Sequence, residues 1–126
     1  MKKIIYTLLI INITILIIFH NPNNAGTEII VADDIIDLGE VKSGSLITAK
    51  FVIINVGDKD LRIDYIQTDC HCTVANAVKM SAKKNESIII QVRYKNNIYG
   101  FFQQLIMVYG NFHNSPIRLV VKGVML

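Results

Sequence analysis

Apolar residues fall along this chain in two different patterns. From Ile4 to Phe19 they run almost unbroken, interrupted only by Thr7, Asn12 and Thr14. Such a run lacks the polar face that a helix packed on a soluble core retains. From Gly26 onward no helical period appears. Short stretches that alternate apolar and polar residues are separated by turn-forming clusters roughly every 8–15 positions. That rhythm predicts an all-β sandwich of about seven antiparallel strands, preceded by one N-terminal apolar helix.

The strands predicted from the alternation begin with Glu28–Val31 and Ile35–Leu38, the latter ending at Gly39 before a turn at Val41–Ser45. Leu46–Asn55 is the clearest, with Ile47, Ala49, Phe51 and Ile53 on one face and Thr48 and Lys50 on the other. Leu61–Ile66 follows, with Leu61, Ile63 and Tyr65 set against Arg62 and Asp64. After the stretch Asp69–Thr73 come a weak strand at Thr73–Val78 and a polar turn at Ser81–Glu86. Ser87–Tyr94, Phe101–Tyr109 and Ile117–Val124 complete the set. Parallel pairing ordinarily requires crossover helices, which this sequence lacks, so the sheets are expected to be mainly antiparallel.

The N-terminus changes the picture from a plain sandwich to an exported one. Lys2 and Lys3 precede the apolar run, and positive charge stays on the cytoplasmic side of a membrane. The helix is expected to stop near Pro22. Ala25 suits the last position before a signal-peptidase cut, whereas Asn23 fits the other small-residue position poorly. Two readings of residues 1–25 stay open, a cleaved signal peptide and an N-terminal membrane anchor. Either leaves the body, residues 26–126, outside the cytoplasm, in the periplasm or anchored in the inner membrane facing outward. No cysteine lies just after the run, which excludes a lipoprotein anchor on this chain.

Charge narrows the partners. The net charge is +3 over 126 residues, and two of those positives are Lys2 and Lys3. No run of Lys or Arg is interleaved with aromatics, so a nucleic-acid partner is not expected. A body of roughly 100 residues buries about two-thirds of its unfolded surface, enough to fold without a metal or several disulfides.

Candidate chemistry is concentrated in Cys70-His71-Cys72, which holds both cysteines of the chain. One reading is structural: two thiols at a strand end, free or joined as an i, i+2 disulfide, which an exported location favours. A second is a metal site of Cys70, Cys72 and His71 for a soft ion such as Cu(I). Neighbouring residues of an extended chain point to opposite faces, so His71 would join both sulfurs only at a turn, and two sulfurs leave zinc short of four ligands. A third is thiol redox. His113 reads as an exposed loop residue, and His20 belongs to the leader. Asp33, Asp34 and Asp37 lack the glycine and terminal glutamate of a calcium loop and read as a solvated strand edge. Asn85-Glu86-Ser87 matches a glycosylation acceptor. No Gly-x-Ser-x-Gly element, phosphate loop or His-Glu-x-x-His is present, so the chain is not expected to be an enzyme.

The order of short motifs resembles a known family. Asp37-Leu38-Gly39 is followed by a turn at Gly44, then Phe-x-Ile-x-Asn-x-Gly from Phe51 to Gly57 and Leu61-x-Ile63. Asp69-Cys70-x-Cys72-Thr73, Gly100-x-Phe102 and Gly123-Val124 complete the series. This is similar to the bacterial domain of unknown function 1573, an immunoglobulin-like family related to PapD-like and ASH sandwiches, over roughly Ile35 to Leu126. The sequence departs from it at His71, where glycine is usual, and at Met80–Glu86, which replaces a Pro-Gly-Glu turn. The resemblance implies an immunoglobulin-like sandwich and assigns no activity. The expected function is therefore a non-catalytic envelope module for protein contact or scaffolding, with a protein partner and, if the leader is uncleaved, the membrane. The alternative is a copper- or thiol-redox-handling protein working through Cys70, His71 and Cys72.

Overall fold

The computed structural model describes residues 1–18 and 26–126. The expected helix stop at Pro22, the cut after Ala25, and His20 lie outside the described residues. Helix α1 spans Lys2–Ile18, and the Thr7 side chain within it donates its hydroxyl to the Lys3 carbonyl at 2.6 Å. Among the described residues no helix is long and apolar enough to cross a membrane.

Nine strands follow: β1 (Ile29–Val31), β2 (Ile35–Val41), β3 (Leu46–Asn55), β4 (Leu61–Thr68), β5 (Thr73–Ala77), β6 (Ser81–Ala82), β7 (Ser87–Lys95), β8 (Gly100–Gly110) and β9 (Ile117–Met125). They form a four-stranded sheet in the order β1-β3-β7-β5 and a five-stranded sheet in the order β2-β9-β8-β4-β6. The count exceeds the expected seven or so partly because the stretch read as a polar turn opens with β6. Ala82 pairs with Leu61 there, and both side chains are buried.

The core lies between the sheets. Ile47, Ala49, Phe51 and Ile53 of β3 face Ile88, Ile90, Val92 and Tyr94 of the same sheet across the register and meet Phe102, Ile106, Val108, Leu119 and Val121 of the other. Each large apolar side chain buried this way contributes about 1.5–3 kcal/mol. Period-2 alternation in β3 and β7 therefore reads directly as inside and outside.

Two departures from the expected pairing have local causes. β2 and β9 pair in parallel, Ile35 opposite Val120 and Val41 opposite Met125, without a crossover helix. The two strands are the first and last of the five-stranded sheet, so the intervening sandwich itself makes the connection. In β4 the pairing with β8 slips between Ile63 and Tyr65. This bulge reverses the inside–outside parity. Leu61 and Ile63 are buried as expected, but Tyr65 turns to the outer face, 54% exposed and stacked on Tyr109 at 4.3 Å. Ile66 packs against the core in its place.

Candidate functional site

The cysteine loop connects the two sheets. β4 ends at Thr68 and β5 begins at Thr73, so four residues carry the chain from one layer to the other. Cys70 and Cys72 are joined as a disulfide with their Cα atoms 5.2 Å apart. The turn is held by several further bonds. The Cys72 N–H donates to the Cys70 Sγ at 3.1 Å, and the Thr73 N–H to the Cys70 carbonyl at 3.1 Å. The Thr68 hydroxyl lies 3.3 Å from the carbonyls of both Cys70 and Thr73. Asp69 reaches back to accept from the Leu105 N–H of β8 at 3.3 Å.

Below the loop a polar pair is set into the core. Thr73 and Gln104 are both buried, and the Thr73 hydroxyl donates to Gln104 Oε1 at 2.8 Å. The Cys72 sulfur lies 3.9 Å from Gln104 Oε1. Both cysteines are half-buried, whereas His71 is exposed at the tip. With the sulfurs joined the loop presents no thiolate, and among the described residues no group of three or more His, Cys, Asp or Glu side chains could hold a metal.

The other candidate residues lie elsewhere. Thr73 pairs with Tyr94, which pairs with Ile47, so the cysteine loop stands at the N-terminal end of β3. His113 donates its N–H to the Thr27 carbonyl at 3.0 Å, and Thr27 bonds Asn55 at the C-terminal end of the same strand. At about 3.3 Å per residue, the length of β3 separates His113 from the cysteines by roughly 25–30 Å. His113 lines a surface cleft there with Glu28, Asp58, Lys59 and Lys84. The Lys84 ammonium, bonded to Asp58 at 2.6 Å and adding its charge, holds that carboxyl below the usual carboxylate range. Asp33 and Asp34 are exposed, and Asp37 caps the Gly39 N–H at 2.9 Å and pairs with Lys122 at 3.7 Å.

A feature the alternation did not flag lies at the cysteine-loop end. Ile98, Tyr99 and Phe101 are 72%, 75% and 69% exposed, beside Val124 and Leu126 at 38% and 58%. Phe101 pairs with Val124, and Leu126 exchanges backbone bonds with Val41 and Ser43, so these side chains share one end of the sandwich. The available signal was the apolar pair Ile98-Tyr99 set between Asn97 and Gly100.

The sequence matches the family described as protein of unknown function (DUF1573) over residues 29–125. The chain belongs to the DUF1573 family. No curated protein matches the sequence. Among solved structures it is similar to a protein of unknown function from Porphyromonas gingivalis W83, with a TM-score of 0.72 and 17% identity over 83% of this chain. This chain spans half the length of that one. It is also similar to the ASH/PapD-like domain 7 of human CEP192, with a TM-score of 0.63 and 10% identity, covering 80% of this chain and 87% of that one. WR4, an MSP family member of C. elegans, gives 0.51 at 9% identity, covering 79% and 99%. At such identities these likenesses show the fold, a PapD-like and MSP-like immunoglobulin sandwich, and nothing further.

Proposed function

We propose that this DUF1573 chain is a non-catalytic module of the bacterial envelope, held outside the inner membrane for contact with another protein. The supporting observation is the apolar tip made by Ile98, Tyr99 and Phe101 with Val124 and Leu126, large side chains left in solvent together at one end. Contiguous exposed apolar surface of this kind marks interaction sites. Lys2, Lys3 and the apolar helix α1 support export. The chain enters the sandwich at Thr27, at the opposite end of β3, so a tethered body would present this tip away from its tether.

A photo-crosslinking residue placed at Tyr99 in cells is expected to yield a discrete protein adduct that Phe101→Ser diminishes. Protease added outside the inner membrane is expected to digest the body. A body shielded from that protease, or substrate turnover abolished by Cys70→Ala, would refute the reading.

The Cys70–Cys72 bridge favours one second reading, because reduction would release two soft donors beside an exposed imidazole. On that reading the reduced chain binds one Cu(I), and Cys70→Ser with Cys72→Ser abolishes binding. Equal binding by the double variant would reject it.

A further inference from the structure

We propose that the free edge of β3 between Leu46 and Lys50 takes up an extended acidic peptide segment as an additional strand. This rests on the protein-contact reading and names the chemistry of the partner and the place where it docks.

The register shows where the edge is open. The Asn55 N–H bonds the Glu86 carbonyl, which turns the odd-numbered backbone groups of β3 toward β7. The even-numbered groups face the other way. Those of Ile54 are taken by Ile30 of β1, and the Val52 carbonyl accepts from the Ala32 N–H at 3.2 Å. The chain then leaves through Asp33 and Asp34 for β9, where the Asp34 carbonyl accepts from Val120 at 2.8 Å. Beyond that point no strand pairs with Leu46, Thr48 or Lys50 on this side among the described residues. The core is correspondingly less sealed there: Ile47 and Ala49 keep 6% and 7% exposure, against 1% for Phe51 and none for Ile53.

Charge selects the occupant. Residues directly opposite one another on paired strands share a face, so Lys50, Arg93 and Lys95 project together from the outer face of β3 and β7. All three are exposed, and no Asp or Glu occupies an outward position of β3, β7 or β5. A shallow cleft runs between Thr48 and Lys50 on one strand and Gln91 and Arg93 on the next. Carboxylates at alternate positions of an added strand would meet Lys50 and reach toward Arg93. The intervening residues would point inward over Ile47 and Ala49, where small apolar side chains fit. Main-chain bonds at the edge would supply affinity, and the alternating side chains specificity. The remaining edges suit this occupant less well. β1 has three residues and β6 two, β2 is interrupted by a bulge, and β5 presents the uncharged Val74 and Asn76 outward.

The test uses the full chain with an alternating Glu-Val peptide and its Lys-Val counterpart. The acidic peptide is expected to bind and to slow amide exchange at Thr48 and Lys50. Lys50→Glu with Arg93→Glu should weaken binding by about tenfold or more. Thr48→Pro removes an edge N–H that bonds no neighbour and should weaken it comparably; melting curves verify that each variant is folded. Should the proline variant fail to fold, the exposed charge reversals decide alone. Absence of binding at about 1 mM, equal binding of the Lys-Val peptide, or protection appearing at Ala75 and Ala77 instead would each overturn the proposal. A cross-link at Tyr99 that persists in those cases would leave the protein-contact reading standing, so the two failures are distinguishable.

Discussion

Asn55, fully buried, makes four side-chain hydrogen bonds within the sandwich. Its Oδ1 accepts from the Thr27 hydroxyl at 2.8 Å and the Gly57 N–H at 3.1 Å, while its amide donates to the carbonyls of Lys59 and Ala82 at 2.8 and 3.0 Å. One fully buried amide thus fixes the chain before β1, the β3–β4 turn and β6 together. Asn55→Ala strands these partners, and we expect a loss of about 2–4 kcal/mol in urea denaturation. The Cys70–Cys72 bridge closes only a very short loop, so the chain-entropy term it removes from the unfolded state is small. Replacing both cysteines by serine should cost about 1–2 kcal/mol. A bridge worth more than Asn55 would contradict this ordering. Glu86 offers a weaker residue-scale effect. Its carboxyl is held below the usual range by the Lys83 N–H and, next, by Lys79. A lowered folded pKa gives stability that is present above the unfolded value and lost as pH falls through the folded one. The group is exposed, so Glu86→Gln should slightly flatten the acid limb of a Tm-against-pH profile, and added salt should shrink the difference.

At the scale of elements, the parallel pairing of β2 with β9 depends on two glycines. Gly39 has φ +64°, inside the β2 bulge, and a Cβ at Gly123 would come within 2.8 Å of the Gly39 carbonyl and 2.9 Å of the Phe102 ring. Backbone on one side and a core aromatic on the other leave little room to yield. Gly123→Ala should therefore cost about 1–3 kcal/mol, measured as a shift of the denaturation midpoint at unchanged slope. The motifs Asp37-Leu38-Gly39 and Gly123-Val124 were visible in the sequence; that they touch was not, because most of the chain lies between them. The Phe51–Gly57 motif is similar: its Asn and Gly stood out as letters, and only the bond between Asn55 and Gly57 and that between Asn55 and Thr27 explain them. The bulge in β4 was invisible for another reason. Leu61-x-Ile63-x-Tyr65 alternates faultlessly, yet the pairing partner on β8 sets the slip, and a partner's register cannot be read along one strand.

Across the whole molecule the two ends divide the labour. Asn55, Thr27 and His113 gather at the end where the chain enters the sandwich; the cysteine loop and the Tyr99 tip occupy the other. Groups so far apart with no shared partners should act independently. Combining Asn55→Ala with the double serine variant is expected to cost the sum of the separate losses to within about 0.5 kcal/mol, and a larger departure would indicate coupling through the core. The sequence alone determined the class of fold, the inward faces of β3 and β7, and Cys70-His71-Cys72 as the place of candidate chemistry. Those are local properties, carried by period-2 alternation and by spacing. Tertiary structure decided that the sulfurs are bridged, that His113 stands at the far end from them, that Tyr65 faces outward, and that β3 keeps an open edge. Each of these depends on which strand lies alongside which, a choice set by packing between residues distant in the chain.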